Sequence, residues 1–148
     1  MDIFSEIKND HRQVIDTLEK MLDTSSGSEK TRPQLVSKLK GELLPHMEAE
    51  ESVFYPLLID EGDPELAMEA IEEHRAAKHV LSELESLSPV DAFWHARCAV
   101  LTELIDHHID EEESDVFENA SEFLDKTTSE QLGRQFVQSK QEFMKRAA

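Results

Sequence analysis

Apolar residues recur every three or four positions along most of the chain, and no segment alternates apolar and polar for the length of a strand. That spacing is the signature of amphipathic helices. The first helix is predicted from about Asp2 to Asp23, with the stripe Ile3, Ile7, His11, Val14, Ile15, Leu18 and Leu22, and it ends at Thr24-Ser25-Ser26-Gly27-Ser28. The second starts near Thr31, where Thr31 and Gln34 have capping-box spacing and Pro33 suits a first turn. Its stripe is Leu35, Leu39, Leu43, His46, Glu50, Val53 and Leu57, and Pro45 predicts a kink just before His46. The third opens with Asp63 as N-cap and Pro64 behind it, with Ala67, Ala70, Ile71, His74, Ala77 or Lys78, Leu81 and Leu84 on its stripe. The fourth opens at Ser88-Pro89 and carries Phe93, Val100, Leu101, Leu104, His108, Glu112 and Val116. A fifth amphipathic helix, about 129–147, shows Leu132, Phe136, Val137 and Phe143.

Short links between long helices favour antiparallel neighbours. The expected architecture is all-α: one domain over 1–148, an up-down-up-down four-helix bundle over about 2–125 and an additional C-terminal helix. A chain of 148 residues is long enough to bury a real core without staples. The single cysteine, Cys98, excludes an internal disulfide and any cysteine-cluster metal site, and reads as a buried, inert thiol.

Charge narrows the partners. With 15 Lys and Arg against 33 Asp and Glu, the net charge is −18. Nucleic-acid phosphate and anionic lipid are repelled, while cations are attracted. No apolar run is long enough to span a bilayer, and the N-terminus lacks a basic region followed by an apolar stretch, so the expectation is a soluble cytoplasmic protein with no nucleic-acid or membrane partner.

The chain also repeats itself. Asp10-His11-Arg12 reappears as Glu73-His74-Arg75, and His46-Met47-Glu48-Ala49-Glu50-Glu51-Ser52 as His108-Ile109-Asp110-Glu111-Glu112-Glu113-Ser114. Each half is a helical hairpin with one His on its first helix and His-x-x-x-Glu on its second. Positions four apart share a helix face, about 6 Å apart along the axis. His11, His46, Glu50, His74, His108 and Glu112 therefore interrupt the apolar stripes of all four helices at middle depth. A lone His-x-x-x-Glu is weak evidence, and His79-Glu83 and His107-Glu111 have the same spacing. The duplication selects His108-Glu112 over His107-Glu111, and leaves His79 and His95 as ordinary histidines. Four imidazoles and two carboxylates form an N/O set suited to iron, manganese or zinc. Two core carboxylates can each bridge two metals, as in bundle-core di-iron sites. Tyr55 is a phenol within reach of the centre, although the aromatics as a group read as core. Glu48, Glu51, Asp60 and Glu61 read as surface acids that guide cations, and Asp110–Glu113, apart from Glu112, as a solvated face.

The order His11, His46-x-x-x-Glu50, His74, His108-x-x-x-Glu112, with the strings Glu50-Glu51-Ser52-Val53-Phe54-Tyr55-Pro56 and Glu72-Glu73-His74-Arg75, resembles the hemerythrin-like (HHE cation-binding) family over about residues 2–125. The resemblance implies a four-helix bundle with a non-heme di-iron centre, two irons per chain with an oxo- or hydroxo-bridge. It implies a small diatomic ligand or a metal ion as partner: dioxygen, nitric oxide or iron bound or sensed. The chain departs from the respiratory type, which has two histidines four residues apart on the third helix. Four residues after His74 stands Lys78, and His79 follows one position late, so the fifth His ligand is missing. Lys78 would instead pair with a ligand carboxylate or help to block an open position. Spacing assigns no acid, base or nucleophile. Binding, turnover of Fe(II), peroxide or nitric oxide by a di-iron oxidoreductase, and a metal-free interaction bundle all remain open. The fifth helix is either a contact surface for a protein partner in trans or a cap on the bundle, and a homodimer is compatible with either.

Overall fold

The computed structural model describes residues 1–148 and is helical throughout, with helices α1 (Ile3–Leu22), α2 (Thr31–Ala49), α3 (Tyr55–Glu61), α4 (Pro64–Ser86), α5 (Trp94–Glu111), α6 (Phe117–Ser121) and α7 (Lys126–Ala147). Two five-residue π-helical turns, Glu50–Phe54 and Glu112–Val116, join α2 to α3 and α5 to α6 without a break. Four long antiparallel rods result: α1, α2–α3, α4 and α5–α6. They meet in a ring in which α1 touches α2 and α5, and α4 touches α5 and α2. The fifth rod, α7, lies across α1 and α2. No helix is long and apolar enough to cross a membrane.

The helix starts follow local chemistry. Asp2, Asp63 and Asp125 each cap a helix by accepting from a first-turn backbone amide, at Ser5, Glu65 and Thr128. Two expected start signals fail. Thr31 makes no capping bond and is already helical, behind Lys30. The helix expected from Ser88 begins only at Trp94, because Ser88–Phe93 forms turns in which Asp91 N donates to Ser88 O and Trp94 N to Asp91 O. The later start leaves Phe93 67% and Val100 49% exposed, while Trp94, Cys98 and Ile105 turn inward. Buried Arg32 ties this end together: it donates to Thr24 Oγ1 and Pro89 O, and its guanidinium lies 4.2 Å from the centre of the Trp94 ring.

Helix α2 runs on through Pro45, and the irregular turn comes one turn later, at Glu50. In each wide turn a backbone amide reaches back five residues, Tyr55 N–H to Glu50 O and Phe117 N–H to Glu112 O. The extra residue moves the downstream stripe by one position. Phe54, Tyr55 and Leu58 are buried, whereas Val53 and Leu57, expected on the stripe, are only partly covered.

The core is divided in two. One apolar cluster holds Val14, Leu18, Leu39, Leu43, Leu81, Trp94, Leu101 and Ile105; the other holds Ile3, Ile7, Phe54, Leu58, Ala70, Val116, Phe117, Leu132 and Phe136. Between them lies a layer of buried polar side chains: His11, His46, Glu50, His74, His108 and Glu112, each no more than 6% exposed.

Candidate metal centre

All six side chains predicted from the repeat meet in this layer. Their donor atoms fall into two groups that share Glu50: His11, His46, Glu50 and Glu112 in the first, Glu50, His74 and His108 in the second. His11 Nε2 lies 3.0 Å from Glu112 Oε1, and His46 Nε2 lies 3.1 Å from Glu50 Oε1. His74 Nε2 is 3.0 Å from Glu50 Oε1 and 3.2 Å from His108 Nε2.

These approaches are close but incompletely hydrogen-bonded. His11 Nε2, His46 Nε2, both Glu50 oxygens and Glu112 Oε1 are buried with no hydrogen-bond partner. Buried polar atoms are rarely left so, because each unpaired one costs free energy. Five of them converging on one layer fit a cation, and the imidazole and carboxylate donors fit a borderline-to-hard one.

The outer nitrogen of every imidazole is held. The Nδ1–H groups donate to carboxylates: His11 to Glu113 at 2.6 Å, His46 to Asp10 at 2.9 Å, His74 to Glu51 at 2.8 Å and His108 to Glu73 at 2.7 Å. The pattern obeys the repeat. Asp10 and Glu73 precede the histidine on the first helix of each hairpin and support the histidine on the second. Glu51 and Glu113 follow Glu50 and Glu112 and support His74 and His11, the first-helix histidines. A carboxylate on Nδ1 fixes the tautomer and leaves Nε2 free for metal.

These four acids correct the expectation that Glu51 and Glu113 merely guide cations or face solvent. A signal for them was present: an acid next to a candidate ligand, repeated in both halves. Lys78 pairs with Glu51 at 3.6 Å, not with Glu50 or Glu112, and is 41% exposed. His79 and His107 are 75% and 65% exposed and face outward, and His95 is also exposed.

Tyr55, which the wide turn swings inward, is fully buried. Its hydroxyl donates to Glu112 Oε2 and lies 3.3 Å from His74 Nε2, beside the second group. On the opposite side, Val14, Leu43, Met47, Ala77, Ile105 and Ile109 line a cavity of about 10 Å³ against His11, His46, His74 and His108, room for one water-sized molecule.

Crowding sets the protonation of the centre. Burial pulls His46 down, but the Glu50 charge and the bond to Asp10 outweigh it and push it up to about 10. For His74, burial again opposes, and Glu50 and Glu51 raise it to about 9. Burial raises Glu50, yet the charge of His46 prevails and holds it well below the usual carboxylate range. Glu112 is raised by burial and by the neighbouring Glu50 charge. Burial and the two carboxylates hold the Tyr55 phenol protonated. Burial likewise pushes the Cys98 thiol up to about 11, as expected of an inert one.

Comparison with known proteins agrees with this picture. The hemerythrin HHE cation-binding domain matches residues 2–120. A DNA nickase of Nostoc sp. is 28% identical over 149 residues, which cover 99% of this chain and 41% of that protein; the chain thus spans about two fifths of this relative. The fold is similar to the crystal structure of a hemerythrin HHE cation-binding domain-containing protein from Mycobacterium kansasii, with a TM-score of 0.85, 21% identity, and coverage of 97% of this chain and 87% of that one. The fold, the clustered histidines and glutamates and the match over most of its length together assign the chain: it belongs to the hemerythrin HHE cation-binding domain family.

Proposed function

We propose that the chain binds two iron ions in the polar layer and, through them, a small uncharged ligand such as dioxygen or nitric oxide. The observation that carries the reading is the set of five unpartnered buried N and O atoms converging in one layer. His11, His46, Glu50 and Glu112 would hold one ion, and Glu50, His74 and His108 the other, with Glu50 common to both. Tyr55 stands where the second group is one protein donor short and supplies either that donor or a hydrogen bond to Glu112. Iron held by such donors supplies one-electron redox chemistry and open positions for a small ligand. The Val14, Leu43, Ala77, Ile105 and Ile109 cavity supports a ligand of diatomic size, since about 10 Å³ admits no organic substrate.

A buried phenol on a ligand carboxylate favours a second reading, an oxidoreductase acting on Fe(II), peroxide or nitric oxide, in which Tyr55 holds a proton at Oη beside the centre. DNA nicking, the activity in the name of the longer relative, stays outside the proposal, because a net charge of −18 opposes approach to a phosphate backbone. The test is elemental mass spectrometry of untagged protein from iron-replete cells, followed by optical spectra under argon, dioxygen, peroxide and nitric oxide. Two irons per chain and a reversible spectral change with a diatomic ligand are expected. Turnover of peroxide or nitric oxide would select the oxidoreductase. No metal, even after iron reconstitution of folded protein, would leave a helical interaction bundle.

A further inference from the structure

The four carboxylates behind the histidines are not equal. Glu51, Glu73 and Glu113 sit at the edge of the bundle, with side chains 30%, 22% and 32% exposed. The Asp10 side chain is 11% exposed, and a residue outside the repeated hairpins completes its surroundings. Lys140 on α7 places Nζ 2.8 Å from Asp10 Oδ1 and 2.9 Å from Oδ2, while Oδ2 also accepts from His46 Nδ1. One turn earlier on α7, the fully buried Phe136 sets its ring edge-to-face against the His46 imidazole, with centroids 5.7 Å apart. The Lys140 ammonium lies 5.3 Å from the centre of the same ring. The other lysine near a supporting acid, Lys78, touches Glu51 at 3.6 Å and is 41% exposed.

We propose that Lys140 is a positioning residue for His46: α7 acts through the Lys140–Asp10–His46 chain to make the first metal position the tighter and less exchangeable of the two. The inference rests on the metal-centre reading and adds an inequality to it. An ammonium that grips both oxygens fixes the Asp10 rotamer, and a fixed carboxylate fixes the tilt of the imidazole. That order is established on folding and does not have to be gained when metal binds. Phe136 covers the ring and keeps water from the Nδ1–H bond. The Tyr55 ring packs against His74 with centroids 5.5 Å apart, but the carboxylates behind His74 and His108 are edge ones that no ammonium grips by both oxygens.

The experiment uses the full chain loaded with Co(II), as wild type, Lys140→Met and Lys140→Arg. Competition with a chromophoric chelator reads the two affinities. Proton NMR in water reads the hyperfine-shifted, exchangeable Nδ1–H signals of the ligand histidines. In Lys140→Met one Co(II) should bind about 10-fold more weakly, the size of a lost supporting contact. The other should be unchanged, and one N–H signal should be lost to solvent exchange. Lys140→Arg, which can also span both oxygens, should keep both affinities and all the signals. Unchanged affinities and signals in Lys140→Met, or equal weakening of both positions, would overturn the inference while leaving the metal centre standing. Wild-type protein that takes up no Co(II) would overturn the metal-centre reading, and this inference with it.

Discussion

Glu50→Gln is the most telling single change to the centre. Glu50 is fully buried, and its Oε1 lies 3.1 Å from His46 Nε2, 3.0 Å from His74 Nε2 and 4.0 Å from His108 Nε2. It therefore faces both donor groups, and the amide keeps its shape while removing one negative charge. A supporting residue around a metal is worth about 10–100-fold in affinity. A carboxylate facing the ion directly should reach at least the upper figure, about 2.7 kcal/mol at each position. In a chain of this length 1 kcal/mol moves Tm by about 2–4 °C. The metal-induced rise in Tm should thus shrink by about 5–11 °C for each position weakened, as long as metal remains in excess. Calorimetry of chelator-stripped and Fe(II)-loaded protein under argon measures that rise. Subtracting the stripped melt removes whatever the amide does to the fold itself. Glu112→Gln serves as the comparison, since Glu112 Oε1 is nearest His11 Nε2, at 3.0 Å, and reaches the second group only at 3.8 Å from His108 Nε2. Two metals held by Glu50→Gln with wild-type affinity would refute the shared role, as would loss of both from Glu112→Gln and only one from Glu50→Gln.

Tyr55→Phe should leave Glu112 Oε2 without its donor and cost about 1–3 kcal/mol of stability, read by denaturant unfolding of stripped protein, and should alter the optical spectrum of the iron-loaded form. His46 at about 10 and His74 at about 9 are raised above the ordinary value of 6.5, so the stability they contribute is full below about pH 6.5 and is lost as pH rises through 9 to 10. Metal-free protein should therefore melt progressively lower over that window. Metal uptake at pH 7, which needs neutral imidazoles, should release about two protons per chain, measurable by titration calorimetry in buffers of different ionisation enthalpy. Gly133→Ala should push α7 off the start of α1, because a Cβ there falls inside contact distance of the Met1 carbonyl oxygen and 3.0 Å from the Asp2 carbonyl carbon; the overpacking should cost about 1–3 kcal/mol in thermal or denaturant unfolding.

The buried layer of histidines and glutamates was legible because chemistry and periodicity coincide there. A histidine or glutamate on an apolar stripe is conspicuous, and the duplication of His46-x-x-x-Glu50 as His108-x-x-x-Glu112 separated the inward pair from the outward His107 and Glu111. Asp63-Pro64 marked a helix start correctly because an aspartate cap and a first-turn proline act locally. Ser88-Pro89 misled for a related reason: the same residues also make turns, and nothing local places the start at Trp94. The supporting acids went unread because Glu51 and Glu113 lie beside Glu50 and Glu112 on partly exposed flanks, where acidity is common. Tyr55 reaches the centre only because Glu50–Phe54 is π-helical, and 3.6-residue counting has no place for the extra residue. The link from Lys140 to Asp10 spans most of the chain and leaves no local pattern.

Each wide turn is one residue longer than the α-helical turn it replaces, and that surplus has a heritable consequence. Loss of one codon within 50–54 or 112–116 would be absorbed by a return to ordinary helix, because Tyr55 and Phe117, five residues after Glu50 and Glu112, would then stand four after them on the same face. Tyr55 and Leu58, or Phe117 and Ala120, would leave the core face together only if the segment became α-helical at its present length, a rotation of about 100°. Ser52 and Ser114 are solvent-exposed and their identity is open to drift. What a lineage carrying this centre must conserve in those two segments is the match between their length and their helix type.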